Sequence, residues 1–476
     1  MTSFSYRYAC VRCATPQAWG GIRYRCHICG QNLRVQRRAN ADSPSAAEVL
    51  SEFRGSAMHG MWRYAALLPV EARWGSRLRV GGTPMVDCGD EGGVRLWVKD
   101  DARNPSGSLK DRATELVLAV ARRAGCTHAV TASTGNAGAS LACIAASQGI
   151  AATVVVPART PFVKLAQIRA YGANLREVDG TYDEAFDMAE RMADDPLVCC
   201  RNTGINPFTR EGKKTCAFEI AEAFDWQVPD WVIVPTGDGN ILSGVAAGFL
   251  DLFALGITSA VPRLLAAQAV GSNSISRDWQ RGDETTALPE APTVVVPDTV
   301  ADSLAVGRPR DHFAALHALR ATRGACVALS DSQIGQASRA LAQRFGLWFE
   351  PSTAAGYAAL HASRASGRIR AGEQVVLLGT GSGMKSPQGF DRMAQVTEPS
   401  RVDMSPPTSP SLSPSVSPSV SVSQSSPHSA PQPIAQSIAQ SISQSISQPI
   451  SRSVSPSVSQ AVSNGGHSPT AGEKLL

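Results

Sequence analysis

From about residue 80 to about residue 390, short apolar runs with strand character alternate with alanine-rich stretches of helical pattern. Each apolar run is followed by a turn signal and then by a helix. The clearest runs are residues 129–131, 152–156, 231–234, 264–268 and 374–378. This alternation predicts an α/β protein with a largely parallel sheet, in which ligands bind at the carboxyl ends of the strands.

The stretch 104–112, Asn-Pro-Ser-Gly-Ser-Leu-Lys-Asp-Arg, joins the apolar run 94–98 to a helical pattern at 113–124. Lys110 is therefore expected in or beside the first turn of a helix. The unpaired N–H groups and the positive end of the helix dipole disfavour an ammonium there, so such a lysine tends to have a lowered pKa and a usable free amine. A free amine can form a Schiff base. The alternative interpretation is a solvated surface charge.

Lysine is rare in this chain, because only seven of the 45 lysines and arginines are lysines. A sequence that uses arginine almost wherever it needs a cation retains lysine where arginine cannot substitute. Arginine cannot form a Schiff base with a carbonyl compound. The composition therefore favours a chemical role for Lys110.

Other junctions between a strand and a helix carry small or polar residues. At 131–138, Thr-Ala-Ser-Thr-Gly-Asn-Ala-Gly, open N–H groups and hydroxyls at a helix start suit a carboxylate, although Ser133 or Thr134 could simply cap the helix. At 234–244, glycines allow the backbone to approach a phosphate, and the loop lacks the patterns typical of ATP and dinucleotide sites. Glu350 and Thr380 follow two further apolar stretches.

The N-terminal region contains two Cys-x-x-Cys pairs, Cys10 with Cys13 and Cys26 with Cys29. This spacing is typical of two turns that supply four thiolates to one tetrahedral Zn²⁺. Because four cysteines close the site, the zinc is expected to be structural. Four unligated thiols are the alternative interpretation.

Charge and hydropathy exclude several other classes of protein. The net charge of +5 is spread along the chain without a dense basic run, so no nucleic-acid partner is expected. No apolar run reaches transmembrane length and the start lacks a signal-peptide pattern, so we expect no membrane partner and a cytoplasmic location. An odd total of 11 cysteines argues against a disulfide framework.

Composition divides the chain into four predicted parts. Residues 1–35 form the zinc-ribbon-like element, 36–60 a polar linker, and 61–395 a catalytic region of two interleaved α/β subdomains. Residues 396–476 are rich in serine, proline and glutamine, with isoleucines every four positions in one part. Serine is a poor helix former and prolines interrupt the repeat, so disorder is favoured over a helix for this tail.

The ordered motifs resemble threonine synthase and its relatives among the fold-type II pyridoxal-phosphate enzymes. Five segments carry the resemblance across residues 60 to 390: Ser-Leu-Lys-Asp-Arg, Ser-Thr-Gly-Asn-Ala, Pro-Thr-Gly-Asp-Gly-Asn, Glu-Pro-Ser and Thr-Gly-Ser-Gly-Met-Lys. The family implies a fold like that of the tryptophan synthase β subunit, with two αβα domains and mostly parallel sheets. It also implies pyridoxal 5'-phosphate as the cofactor and an amino acid as the small-molecule substrate, and it allows a homodimer.

The resemblance also assigns roles to individual residues. Lys110 is expected to bind the cofactor and to act as the general base. Asn136 is expected to hydrogen-bond the phenolic oxygen of the cofactor, and Thr380 to face its pyridine nitrogen. Two loops are expected to bind anionic groups. The cofactor phosphate is assigned to Gly237, Asp238, Gly239 and Asn240, and the substrate carboxylate to Ser133, Thr134 and Gly135.

Two further expectations concern charge at this site. Asp238 departs from the common family pattern, and its carboxylate would repel a phosphate unless the side chain points away. The family implies a phosphorylated substrate, whose leaving phosphate requires cations. The candidates are Arg103, Arg112, Lys164 and Lys213.

The family implies a lyase or synthase that eliminates phosphate from O-phosphohomoserine and adds water to give threonine. One alternative is β-replacement on O-phosphoserine or another activated serine by sulfite or a thiol, as in relatives that resemble cysteate synthase or cysteine synthase. Another alternative is a catalytically silent relative that binds a ligand or a partner.

Overall fold

The protein is described by a computed structural model, which covers residues 4–40, 43–282 and 288–386. The predicted disordered tail, 396–476, lies outside these residues. The strands are β1 Ser5–Cys10, β2 Pro16–Gln17, β3 Leu33–Arg38, β4 Met85–Asp90, β5 Arg95–Asp100, β6 His128–Ala132, β7 Ala151–Pro157, β8 Asn174–Val178, β9 Val198–Cys200, β10 Trp231–Pro235, β11 Arg263–Ala269, β12 Ala325–Leu329 and β13 Gln374–Gly379. The helices are α1 Ala46–Gly55, α2 Lys110–Arg123, α3 Asn136–Gln148, α4 Phe162–Ala170, α5 Tyr182–Met192, α6 Phe208–Ala223, α7 Asn240–Ala254, α8 Ser274–Arg281, α9 His312–Ala321, α10 Asp331–Phe345 and α11 Pro351–Ala365.

Two sheets, one parallel throughout and one with a single antiparallel pair, form the framework of the catalytic region within the described residues. The larger sheet has the order β12-β11-β10-β13-β5-β4, and only the pairing of β4 with β5 is antiparallel. The smaller sheet has the order β8-β7-β6-β9 and is parallel throughout. The smaller sheet is inserted in the chain between β5 and β10, so the two parts interleave. This arrangement confirms the predicted α/β fold class.

Both sheets are buried on two faces because successive side chains of a strand point to opposite sides. In β10, Val232 and Val234 pack with α6, α7 and α9, whereas Ile233 packs on the other face with α10 and α11. In β6, Ala129 packs with α2 and α3, and Val130 packs with α5 on the opposite face. The apolar runs are therefore continuous rather than alternating, as buried parallel strands require.

The N-terminal region folds as a three-stranded antiparallel sheet, β2-β1-β3, followed by α1. Ser45 caps α1 and Glu48 completes a capping box, while Val49 and Phe53 lie on its buried face. Residues 36–60, which composition predicted to be a linker, thus contain the end of β3 and the whole of α1. The pair Val49 and Phe53, four residues apart, explains this difference, because it gives the polar segment one apolar helical face.

The ends of the central strands lie level with one another. In the register of β13 with β5, Gly379 faces Asp100, and the Leu109 N–H donates to the Thr380 carbonyl at 3.0 Å. The loop after β5 and the loop after β13 are therefore joined immediately before Lys110. None of the described helices combines the length and the apolar character that a membrane span requires.

Candidate active site

The loops at the carboxyl ends of β5, β6, β10 and β13 enclose one cavity of about 810 Å³. It brings together the ten residues that the sequence assigned to catalysis, to the cofactor or to the substrate carboxylate. These residues are Lys110, Ser133, Thr134, Gly135, Asn136, Gly237, Asp238, Gly239, Asn240 and Thr380. The cavity lies at the strand ends, where parallel α/β sheets bind ligands.

Lys110 is the first residue of α2, and its position is set by the bond from Leu109 to the loop after β13. Burial and the nearby charge of Arg201 lower the pKa of Lys110 to about 8. Within the described residues no hydrogen bond or ion pair holds its ammonium group. Lys110 thus presents a lysine amine to the cavity that is easily deprotonated near neutral pH.

The loop at the start of α7 has the features of an anion site. Gly239 has φ +87, and a Cβ there would lie 2.8 Å from the Ala315 Cβ, so only glycine fits. No protein acceptor within the described residues receives a hydrogen bond from the N–H groups of Gly237, Asp238, Gly239 or Asn240. These donors and the helix dipole can bind a phosphate.

Asp238 turns its carboxylate towards the backbone of a neighbouring segment. Its Oδ1 accepts a hydrogen bond from the Arg310 N–H, and a Cβ at Gly204 would lie 3.0 Å from its Oδ2. Burial raises the pKa of Asp238 to about 7. The side chain therefore has its own partner, and it is partly protonated at neutral pH, which limits its repulsion of an anion in the loop.

The loop of Ser133, Thr134 and Gly135 leads into α3. The Gly135 N–H donates to the Ser133 Oγ at 3.2 Å, and a Cβ at Gly138 would lie 2.5 Å from the Ser133 carbonyl oxygen. Glycine at 138 thus lets the helix approach the loop closely. The N–H groups at this second helix start can receive a carboxylate.

Asn136, the first residue of α3, contacts a carboxylate across the cavity. Its Nδ2 donates to both oxygens of Glu350, at 2.8 Å and 2.9 Å. Burial raises the pKa of Glu350, and the hydroxyl of Ser303 donates to it at 3.2 Å. The bond to Glu350 orients the Asn136 amide, and the sequence gave no sign of this pairing, which joins residues 214 positions apart.

Thr380 belongs to a cluster of hydroxyl groups. Its Oγ1 lies 3.2 Å from the Ser352 Oγ and 3.2 Å from the Thr353 Oγ1, and its N–H donates to Thr353. Within the described residues no carboxylate bonds this hydroxyl. Thr380 therefore offers a neutral polar group to the cavity.

Arg201, which follows β9, is a buried cation that the sequence analysis missed. It donates to the hydroxyls of Thr114 and Thr203, at 3.0 Å and 2.6 Å, and burial lowers its pKa to about 10. Its guanidinium Nη2 also lies 3.5 Å from the Lys110 carbonyl oxygen. Arginine is common in this chain, so composition gave no signal that could have singled it out.

Lys213, one of the predicted phosphate-binding candidates, lies behind the loop at the start of α7. Its fully buried ammonium donates to the Asn240 Oδ1. Burial, together with the charges of Lys110 and Arg201, holds the pKa of Lys213 well below its usual range. Throughout the described part of the chain, no ion pair neutralises Lys110, Arg201 or Lys213. The cavity is thus suited to an anionic ligand, which would offset this buried positive charge.

The four N-terminal cysteines form a separate cluster. All four sulfur atoms lie within 4.8 Å of one another, with Sγ–Sγ distances of 3.4 Å for Cys10 and Cys29 and 3.7 Å for Cys13 and Cys26. Sulfur atoms at a tetrahedral zinc, with bonds of about 2.3 Å, stand about 3.8 Å apart. The N–H groups of Arg12 and Cys13 also point at the Cys10 sulfur, at 3.4 Å each. The cluster fits a closed metal site.

A sequence profile described as that of a pyridoxal-phosphate-dependent enzyme matches residues 77–381. The chain belongs to the pyridoxal-phosphate-dependent enzyme family. It is 33% identical to threonine synthase from Methanocaldococcus jannaschii over 404 residues, which are 83% of this chain and 96% of that protein. It is 32% identical to threonine synthase from Mycobacterium tuberculosis H37Rv over 359 residues, 73% of this chain and 96% of that one. These relatives indicate a pyridoxal-phosphate-dependent function of the threonine synthase type.

Solved structures share the fold of this chain at low sequence identity. The processed threonine deaminase isoform 2 from Solanum lycopersicum superimposes with a TM-score of 0.55 at 21% identity, covering 66% of this chain and 83% of that chain. Maize serine racemase superimposes with a TM-score of 0.53 at 22% identity, covering 65% of this chain and 91% of that chain. They confirm the predicted fold type.

The described cavity fits pyridoxal phosphate. The cofactor requires a lysine amine, and Lys110 has no competing partner among the described residues. It also carries a phosphate dianion, for which the start of α7 provides four N–H donors. The buried charges of Arg201 and Lys213 lie beside these two groups.

Proposed function

We propose that this protein is a threonine synthase, which eliminates phosphate from O-phosphohomoserine and adds water to give threonine. The observation that carries the proposal is the convergence of the Lys110 amine and two helix starts in one cavity. The buried side chains of Arg201 and Lys213 contact residues of its wall. The identity of 33% to a threonine synthase across 83% of the chain supports this substrate over others of the same fold.

We assign the residues around the cofactor as follows. Lys110 would hold pyridoxal phosphate, and the N–H groups of the loop 237–240 would bind its phosphate with Lys213 behind them. Asn136, oriented by Glu350, would donate to the phenolic oxygen, while Thr380 would meet the pyridine nitrogen. When bound, the cofactor supplies an electron sink that acidifies the carbon next to the substrate amino group.

The chain's own residues then bind the substrate and move protons. The N–H groups and hydroxyls of Ser133, Thr134 and Gly135 would hold the substrate carboxylate at the start of α3. The amine of Lys110, with its pKa lowered to about 8, can take and return protons near neutral pH. A positioned amine of this kind contributes roughly 10²- to 10⁴-fold to a proton transfer.

The four predicted cations differ in their ability to meet the leaving phosphate. Arg112 is fully buried in ion pairs with Asp101 and Glu219, and Arg103 is exposed beside Asp100. Lys164 pairs at the surface with Asp302, a residue that lines the cavity. We therefore assign Lys164 to the mouth of the cavity and exclude Arg112.

The cavity wall also contains two arginines that the sequence analysis did not name. They are Arg308 and Arg310. Arg310 is anchored by Asp183 and stacks 4.4 Å from the centre of the Phe186 ring. A guanidinium held in this way can bind a phosphate with two parallel hydrogen bonds, so we add both arginines to Lys164 as candidates for the substrate phosphate.

The test is to incubate purified protein with O-phosphohomoserine and to measure released phosphate and the mass of the product. We expect threonine and one phosphate per turnover. O-Phosphoserine with and without sulfite forms the second arm, and formation of cysteate there would favour β-replacement. Lys164→Ala should retain cofactor binding and raise KM, whereas a protein that releases phosphate from neither substrate would sink the assignment.

We also propose that the four-cysteine cluster binds Zn²⁺ and that the protein acts in the cytoplasm. All 11 cysteines are unpaired thiols, and a reducing compartment keeps them so. Metal analysis of purified protein should give one zinc per chain. Replacing Cys26 by serine should abolish that stoichiometry.

A further inference from the structure

The turn after the second cysteine pair is fixed by both pairs. The Cys26 N–H donates to Gln31 at 2.8 Å, and the Gly30 N–H donates back to Cys26 at 2.9 Å. From the first pair, the Val11 N–H donates to the Asn32 carbonyl at 3.0 Å. The buried residue Asn32 therefore takes its position from the four-cysteine cluster.

The ribbon comprises residues 5–38, with strands β1 to β3 and the four cysteines. Its residues Asn32 and Leu33 form hydrogen bonds with two arginines of the catalytic region. The Asn32 Nδ2 donates to the Arg310 carbonyl at 2.6 Å. The Leu33 carbonyl accepts a hydrogen bond from the guanidinium of Arg210, which is itself buried. The partners lie 278 and 177 positions apart in sequence, so these bonds join the ribbon to two distant segments.

The same two arginines hold the loop at the start of α7. The Arg310 N–H donates to the Asp238 carboxylate, and the next residue, Asp311, donates its N–H to the Asp238 carbonyl at 3.1 Å. Arg210 forms a buried ion pair with Asp311. The Asp311 Oδ2 accepts from Asn240, the first residue of α7, at 3.0 Å and also from Ser243 at 2.9 Å.

We propose that the four-cysteine ribbon positions the loop 237–240, with Asn32 and Arg210 as positioning residues, so that the metal state of the ribbon sets the affinity for pyridoxal phosphate. The inference rests on the proposed assignment of this loop to the cofactor phosphate. Each route from the ribbon to the loop passes through buried hydrogen bonds or an ion pair. A loop whose side chains are fixed in advance loses less conformational entropy when it binds the phosphate.

Coupling between two binding sites is reciprocal. If zinc in the ribbon favours cofactor binding, the bound cofactor must favour zinc by the same factor. Couplings of this kind amount to roughly 5- to 150-fold in affinity. The cofactor should therefore raise the affinity of the protein for zinc in competition with a chelator.

The experiment measures the affinity of cofactor-free protein for pyridoxal phosphate by absorbance, with zinc bound and after zinc is removed by a chelator. We expect removal of zinc to weaken binding by about 5-fold or more. In the converse measurement, the zinc affinity obtained in equilibrium competition with a colorimetric chelator should be higher by the same factor when the cofactor is present.

Two variants distinguish a positioning role of Asn32 from a general destabilisation of the ribbon. Asn32→Asp removes the donor to Arg310 but keeps the acceptor that Arg25 uses at 3.0 Å and all four cysteines. With zinc bound, it should also weaken cofactor affinity by about 5-fold or more. The matched control is Gln36→Leu, which breaks a 2.8 Å ribbon hydrogen bond with Arg7 that does not lead to the loop.

Unchanged cofactor affinity in both zinc-free protein and Asn32→Asp would overturn the proposal. An equal loss in Gln36→Leu would also overturn it, because it would indicate general weakening of the ribbon. If thermal melts show that zinc removal or Asn32→Asp unfolds the protein, the affinity of zinc-bound Asn32→Leu for pyridoxal phosphate is measured instead. A loss of affinity would support the proposal, and an unchanged affinity would overturn it. Cofactor binding is read without turnover, so a protein with this coupling but no activity on O-phosphohomoserine would refute only the proposed substrate.

Discussion

Two pairs of neighbouring cations face opposite electrostatic surroundings. On α2, Arg112 is fully buried and forms ion pairs of 2.6 Å with Asp101 and 2.7 Å with Glu219, whereas Lys110, two residues earlier, has no ion pair within the described residues. On α6, Lys214 pairs with Glu211 and Asp251 at 2.8 Å each, and its neighbour Lys213 donates only to an amide oxygen.

The paired cations Arg112 and Lys214 stabilise the fold, whereas Lys110 and Lys213 are available to a ligand. Although burial favours the neutral acid, the charges of Arg112 and Lys99 hold the pKa of Glu219 far below its usual range. This network is balanced without a ligand. Lys110 and Lys213 carry lowered pKa values because the cost of burial outweighs the attraction of the nearby carboxylates, none of which forms an ion pair with either lysine within the described residues. An anionic cofactor would complete the balance.

The largest effect should come from Lys110→Met, which removes the amine and keeps the length of the side chain. We expect turnover to fall by at least about 10⁴-fold, since proton transfer and cofactor attachment are both lost. Stability of the cofactor-free protein should be unchanged or raised, because a poorly compensated buried charge is removed. Steady-state kinetics and thermal melts measure the two quantities, and a destabilised variant would contradict this account.

Arg112→Met should produce the reverse pattern. The substitution leaves Asp101 without a cation and Glu219 with Lys99 alone. Removing one partner of a buried ion pair costs about 3–5 kcal/mol of unfolding free energy. Urea unfolding of the cofactor-free protein measures this loss. A variant as stable as the wild type would show that the network around Glu219 does not serve the fold.

On α6, Lys213 and Lys214 offer the same contrast between a cation without an ion pair among the described residues and a paired one. Lys213→Met should weaken cofactor binding by about 10- to 100-fold, the equivalent of one charge-assisted hydrogen bond of about 1.5–3 kcal/mol. Lys214→Met should lower stability and leave the affinity unchanged. Lys213→Gln keeps a donor for Asn240 without the charge, so a loss of affinity in this variant identifies the charge itself as the cause.

The lowered pKa of Lys110 predicts a pH dependence. The free amine becomes the major form as the pH rises through about 8, so the rate of cofactor attachment to cofactor-free protein should rise from pH 7 to pH 9 with a midpoint near that value. Stopped-flow absorbance measures the rate. A midpoint at the usual lysine pKa would mean that the amine is solvated.

The smallest effect should come from Asp238→Asn, which keeps the acceptor for the Arg310 N–H. Because burial raises the pKa of Asp238 to about 7, its carboxylate is charged mainly above that pH. Removing the charge should therefore strengthen cofactor binding a few-fold at pH 8 and have little effect at pH 6. A loss of affinity at pH 8 would show that the carboxylate helps to hold the loop.

Sequence patterns predicted the positions of strands and loops well because these depend on local composition. The five predicted runs all lie within observed strands, and the loop residues of the motifs line one cavity. Pairings between distant residues were not predictable. Asn136 meets Glu350 and Asn32 meets Arg310 only after two sheets and a ribbon have packed together.

The sequence also did not predict which buried cations lack a carboxylate partner among the described residues. Whether a buried cation is neutralised depends on which carboxylates the fold brings near, so Arg201 could not be told apart from the other arginines. By contrast, helix α1 could have been predicted from the sequence. Ser45 with Glu48 is a capping-box pattern, and Val49 with Phe53 is a helical spacing, within a stretch whose polarity suggested a linker.

We expect Lys110, rather than another lysine, to hold pyridoxal phosphate. Protein loaded with the cofactor can be treated with borohydride, which fixes the cofactor to its lysine, and then digested and mapped by mass spectrometry. We expect one pyridoxyl group per chain, on Lys110. A pyridoxyl group on Lys213, Lys214 or any other lysine, or its absence from the protein, would refute the assignment of Lys110.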